Sequence, residues 1–144
     1  MKPTLYRHIL VPVEGSDYDR VILDHVVELA RVHGAKLLLV HVADGWAARY
    51  YREEADSPEV REDRAYLNTL AADLRKQSFE VETLLGFGDP GAEIIKVAQE
   101  RKCDLIAMTT HGHRFISDLL YGSAASAVHH GVEIPVLLLR APSK

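Results

Sequence analysis

Cysteine is nearly absent from this chain: Cys103 is the single one. That excludes an internal disulfide framework and any Cys-x-x-Cys metal site. Long apolar runs are absent too, so no segment reads as a bilayer span. The opening stretch MKPTLYRHILVPV lacks the apolar core of a signal peptide, and a cytosolic location is the expectation. Basic residues are nowhere concentrated: 17 Lys and Arg stand against 21 Asp and Glu, for a formal net charge of −4. Without a basic stripe, neither nucleic acid nor a membrane is expected as a partner. No internal repeat and no low-complexity tract occurs, and the Gly-Lys-Ser/Thr of a P-loop is missing.

What remains is an ordinary globular composition, 47% apolar and 26% charged, spread over 144 residues. One domain, 1–144, with one core is the expectation. Five β-type runs stand out: HILVPV (8–13), KLLLVHV (36–42), EVETLLGF (80–87), DLIAMTT (104–110) and IPVLLLR (134–140). Four are nearly continuous in apolar residues, as strands buried on both faces are. The third alternates Glu80 and Glu82 with Val81 and Thr83, which suits an edge. Helical spacing lies between the runs. Ile22, Val26, Leu29 and Ala30 share a face after a cap region at Ser16-Asp17, and Gly34 stops that helix. Leu67, Leu70, Ala71 and Leu74 share a second face. Ile94, Val97 and Ala98 follow Pro90, a first-turn residue. Ala124, Ala127 and Val128 make a small-residue face ending near Gly131. Alternating strands and helices predict a doubly wound parallel α/β sheet. The segment 43–59 holds the only Trp; Trp46, Tyr50 and Tyr51 read as cover for a core edge, or as a lid or partner surface.

In such sheets ligands sit beyond the carboxyl ends of the strands, where the winding reverses. Two orders are open. In 3-2-1-4-5 the reversal lies between strands 1 and 4; in 2-1-3-4-5 it lies between strands 1 and 3. The loops to inspect are therefore PVEGS (12–16), GFGDPG (86–91) and the stretch THGHRFISDLLYGSAASAV (110–128). A phosphate-accepting receiver domain fails residue by residue: Glu14 stands nearly alone, Asp89 lies in a Gly-Pro turn, and strand 5 ends in Arg140. The third loop has more to offer. Gly112 lets backbone approach a ligand, and Gly122-Ser123 opens a small-residue helix whose free N–H groups attract anions. The competing reading is a turn glycine followed by an ordinary Ser cap. His111 and His113 flank Gly112 and would face a phosphate or a metal, or simply solvent; two His without a Cys or paired acid make a weak metal signal. His129 and His130 complement a helix end.

Taken together, ILVPVEGS, LLLVHV, GDPGAEII, CDLIAMTTHG and Gly112-x9-Gly122-Ser123 followed by IPVLLL resemble the universal stress protein (UspA-like) family over nearly the whole chain. The resemblance implies the order 3-2-1-4-5, an adenine nucleotide alpha hydrolase-like fold, a site between strands 1 and 4, and a homodimer formed through strand 5. The ATP-binding branch carries Gly-x2-Gly-x9-Gly-Ser/Thr. Gly112, Gly122 and Ser123 match its last elements, while Thr109 stands where the first glycine would be. The family's Asp after strand 1 falls on Glu14. Pro12 and Val13 would flank adenine, Val42 would lie against base and ribose through its backbone, and Met108, Thr109, His111, Gly112, His113, Gly122, Ser123 and Ala124 would surround the rest. ATP is the implied ligand, with AMP or ADP as alternatives and Mg²⁺ or Mn²⁺ entering through the phosphates rather than a protein metal site. The expected role is a regulatory nucleotide-binding module in stress response. Its rivals are a nucleotide-free dimeric interaction protein and a slow ATPase; the latter lacks a positioned Lys, paired carboxylates or an activated nucleophile.

Overall fold

The computed structural model describes residues 5–43, 58–110 and 119–140, with the backbone alone for 119–123. Its elements in chain order are β1 (His8–Pro12), α1 (Tyr18–His33), β2 (Lys36–Ala43), α2 (Pro58–Lys76), β3 (Val81–Phe87), α3 (Pro90–Glu100), β4 (Leu105–Thr109), α4 (Leu119–Gly131) and β5 (Val136–Leu139). The five strands form one sheet in the order β3-β2-β1-β4-β5, and every neighbouring pair is parallel. The order 3-2-1-4-5 is thus the one adopted.

The apolar runs explain which strands lie inside. Leu37, Leu38, Leu39 and Val40 of β2 have no exposed surface, nor do Ile9, Leu10 and Val11 of β1. Side chains alternate across the sheet, so both of its faces need cover. On one face Ile9, Val11, Leu37 and Leu39 pack with Ile22, Val26 and Ala30 of α1 and Leu67, Ala71 and Leu74 of α2. On the other, Leu10, Leu38, Val40, Ile106 and Met108 pack with Ile94, Val97 and Ala98 of α3 and Ala125 and Val128 of α4. Each fully buried Leu or Ile here contributes about 1.5–3 kcal/mol of hydrophobic stabilisation.

Apolar as it is, the run 134–140 takes the edge that the order 3-2-1-4-5 assigns it: Val136, Leu137 and Leu139 are half-buried and Leu138 is 42% exposed. Two expectations are modified. On α4 the buried pair beside Val128 is Ala124 and Ala125, whereas Ala127 is exposed. Ala127 still matters to packing, because a Cβ on Gly91 would lie 3.0 Å from its own Cβ; α3 and α4 touch there. At the start of α1 the Asp17 side chain makes no capping bond. The Ser16 hydroxyl instead accepts the Tyr18 N–H at 3.3 Å. The far end of α1 is as expected: Gly34 takes φ 65°, where other residues are strained, and its N–H returns to the Ala30 carbonyl.

Candidate functional site

The helices that follow β1 and β4 leave on opposite faces of the sheet, α1 on one and α4 on the other. These two strands are neighbours, so the winding reverses between them. Their register ends early, at Leu10↔Ile106. Past that rung β1 stays paired with β2 as far as Pro12↔Val40, and β4 with β5 as far as Thr109↔Leu139. The sheet therefore splits at the carboxyl ends of β1 and β4. A split of this kind is where a ligand can meet main-chain groups from both sides.

On the β1 side, Pro12 is half-buried and Val13 is buried. The Val13 N–H donates to the Val40 carbonyl at 2.8 Å, which carries the ladder one residue past the strand. Glu14 follows with its side chain 3% exposed. The turn is then held from within by Asp19, itself 3% exposed. Its carboxylate accepts the N–H of Glu14 at 2.9 Å, of Gly15 at 2.7 Å and of Ser16 at 3.2 Å. Three successive amides converging on one anion form a concavity of the type that binds phosphate in other folds. Here the protein's own carboxylate fills it. The three amides of this turn are therefore already engaged.

Two side chains of α2 fix this turn from outside. The Tyr66 hydroxyl donates to Asp19 Oδ2 at 2.5 Å. Burial, then the hydrogen bond to Asp19 and its negative charge, push the Tyr66 phenol well above its ordinary pKa. One turn earlier, Asp63 Oδ2 lies 3.3 Å from Nε2 of His41. The other ring nitrogen of His41, Nδ1, lies 2.8 Å from the Val13 carbonyl. His41 is only 6% exposed. The ring thus bridges two acceptors, the Val13 carbonyl and the Asp63 carboxylate. Val42, half-buried, is paired with Gly86 of β3. Because the β1–β2 ladder stops at Val40, the backbone of Val42 on the β1 side lies past its last rung.

On the β4 side, Met108 is 1% exposed and belongs to the core beneath α3 and α4, so it borders the split through its backbone. Thr109 is buried and still paired with Leu139, and the Thr110 N–H donates to the Leu139 carbonyl at 3.1 Å. His111, Gly112 and His113 lie outside the described residues. The helix after them begins at Leu119, so Gly122 and Ser123 fall one turn into α4 and Ala124, buried, follows. The loop after β3 is occupied otherwise: Asp89 Oδ2 accepts the Ala92 N–H at 2.9 Å as the cap of α3. His130 Nδ1 lies 2.9 Å from the Ser126 carbonyl near the carboxyl end of α4, in keeping with its reading as a helix-end residue. Among the described residues, no group of three His, Cys, Asp or Glu side chains is placed to hold a metal ion, and no helix is long and apolar enough to cross a membrane.

Sequence reasoning had singled out Pro12, Val13, Glu14, Val42 and Thr109, which the fold gathers around the split. It passed over Asp19, Tyr66 and Asp63 and gave no role to His41. Asp19 carried a signal: an acid three residues after Ser16 at a helix start is placed to reach back to the preceding amides.

Comparison with known proteins bears on this geometry. A model of the universal stress protein family matches residues 5–140. Universal stress protein MJ0531 of Methanocaldococcus jannaschii is 28% identical over 145 residues, covering 97% of this chain and 85% of the relative. Among solved structures, the MJ0577 protein of the same organism superposes with a TM-score of 0.82 at 24% identity, covering 97% of this chain and 99% of that one. A universal stress protein from Archaeoglobus fulgidus, solved in complex with dAMP, superposes with a TM-score of 0.70 at 24% identity, covering 93% and 98%.

Proposed function

The chain belongs to the universal stress protein family, and on that premise we propose that it is a regulatory module that binds an adenine nucleotide in the split between β1 and β4. The observation that carries the reading is the divergence of these strands after Leu10↔Ile106, with main-chain groups of Val13 and Val42 lying past the last rungs. Adenine stacks by Pro12 and Val13, near the Glu14 carboxylate and the Val42 backbone. The amides of the β1 turn are already taken by Asp19. The phosphates therefore run the other way, toward Gly112 and the first turn of α4, which begins at Leu119 just ahead of Gly122 and Ser123 and whose free N–H groups and helix dipole favour anions. The dAMP complex of the Archaeoglobus fulgidus relative supports the class of ligand. ATP is the form with most to gain from the Gly122-Ser123 end, with Mg²⁺ or Mn²⁺ bridging its phosphates. The protein binds rather than turns over nucleotide.

Release of an adenine nucleotide from freshly purified, denatured protein, read by mass spectrometry, together with calorimetric titration of AMP and ATP, tests this. A chain that carries none and binds neither would be a nucleotide-free interaction protein. Sustained release of ADP over many turnovers would make it an ATPase.

A second reading concerns assembly, as a cytosolic, single-domain chain that pairs with a copy of itself. The edge strand β5 presents Leu138 at 42% exposure with half-buried Val136 and Leu139. An apolar edge of this kind is a template for pairing with a second copy, and a homodimer through β5 follows.

A further inference from the structure

We propose that His41 is a positioning residue for the adenine pocket, and that through it helix α2 controls how well that pocket is formed. This rests on the nucleotide reading above and deepens it. Val13, the residue just after β1, is still tied to β2, its N–H held by the Val40 carbonyl. Its carbonyl is aimed by His41 Nδ1, at 2.8 Å. His41 is in turn held by Asp63 of α2, at 3.3 Å from Nε2. Three residues along the same helix, Tyr66 holds Asp19, and Asp19 holds the amides of Glu14, Gly15 and Ser16. Residues three apart share a helix face. One face of α2 thus grips both polar sides of the turn that would receive the base: its leading carbonyl through His41, its three amides through Asp19. Val42, the other main-chain contact for the base, is the next residue after His41. A shift of α2 changes the Val13 carbonyl and the β1 turn together, and nucleotide binding must in return favour the docked position of α2.

The two ring nitrogens have separate tasks, so substitutions can separate them. The side-chain amide of Asn reaches about as far as Nδ1 and that of Gln about as far as Nε2. His41→Asn keeps a donor for the Val13 carbonyl and gives up Asp63. His41→Gln keeps the link to Asp63 and gives up the carbonyl. His41→Leu gives up both. AMP and GMP are titrated by calorimetry into the unaltered chain, these three variants and Asp63→Ala, with thermal melts recorded alongside. Asp63 is partly exposed, so Asp63→Ala provides a variant that folds even where a change at the buried His41 does not. The expected result is a loss of AMP affinity of about tenfold in His41→Leu and His41→Gln. His41→Asn is restored to within about threefold of the parent, Asp63→Ala loses about threefold, and the preference for AMP over GMP narrows in the same order. A change in stability alone would not reorder base preference. Folded variants that bind AMP as the parent does, with the same preference, overturn the role of His41 and leave the nucleotide reading intact. A parent chain that binds neither nucleotide overturns both.

Discussion

The hydroxyl of Tyr66 and the carboxylate of Asp19, 47 residues apart in the chain, meet at 2.5 Å beside the split in the sheet. The pair closes a circuit. Asp19 draws in the amides of the β1 turn, and Tyr66 secures the one oxygen of that carboxylate that also serves Gly15 and Ser16. Tyr66→Phe should cost about 1.5–3 kcal/mol, the range for a hydrogen bond to a charged group, measured by urea unfolding at neutral pH.

The same pair makes an alkaline prediction. The Tyr66 phenol is raised above its ordinary value, so the folded chain holds that proton more tightly than the unfolded one. Its contribution to stability is complete below about pH 10, the unfolded phenol pKa, and is lost as pH rises past it. Stability should fall more steeply above pH 10 in the parent than in Tyr66→Phe. Parallel alkaline limbs would show that the Tyr66 proton is not held in this way.

His8 makes the matching acid prediction. Its ring is 7% exposed, Nδ1 lies 3.2 Å from the Arg101 carbonyl, and Nε2 is buried with no partner among the described residues. Burial first, and the nearby Lys36 charge second, lower its pKa from the ordinary 6.5. The unfolded chain therefore takes up this proton before the folded one. Stability is complete above 6.5 and declines as pH falls below it. His8→Phe cannot titrate, and its unfolding free energy should show a shallower decline between pH 6.5 and 5 than that of the parent, at a cost of about 1 kcal/mol at pH 7.5 for the lost bond to Arg101.

Lys at Leu138 or Val136 should break the proposed dimer. Either change sets a charge on the apolar edge of β5, and like charges would face each other across a symmetric pairing. Sedimentation should show a dimer for the parent and a monomer for Leu138→Lys. A parent that stays monomeric in dilute solution contradicts the assembly.

Thr109→Gly and Gly122→Val probe the phosphate end. If Thr109 holds off one charged N–H contact, removing its Cβ should tighten ATP binding by about tenfold to a hundredfold. Thr109 is buried in a paired strand, so its loss also costs stability, and a melt must accompany the titration. Gly122→Val should abolish ATP binding. Folded Thr109→Gly that binds ATP no better than the parent would refute the steric reading.

Much of the sheet was legible because local patterns carried it. Continuous apolar runs in β1, β2 and β4 and interleaved Glu in β3 reported which strands lie inside and which at an edge. β5 was harder: VLLL has the composition of an interior strand, and only its place in the order makes it an edge. The site was legible where a loop follows a strand, at Pro12, Val13 and Glu14. It was not legible where the partner is remote. Nothing local connects His41 to Asp63, or Asp19 to Tyr66. Periodicity identifies the face that α2 buries, through Leu67, Ala71 and Leu74, but not the polar residues at its margin that reach the turn. Likewise Ser16-Asp17 looked like the cap because Ser and Asp favour that position, while the acid that gathers the amides is Asp19.

The central claim is that an adenine nucleotide lies in the split between β1 and β4. Titration of isotope-labelled protein with AMP, followed by amide shifts in NMR, tests it most directly. The expected result is saturable shifts concentrated at Val13, Glu14, Gly15, Val42 and Thr110. Shifts confined to the opposite end of the sheet, around Arg7, Lys36 and Glu80, or no shifts at millimolar AMP, would contradict it.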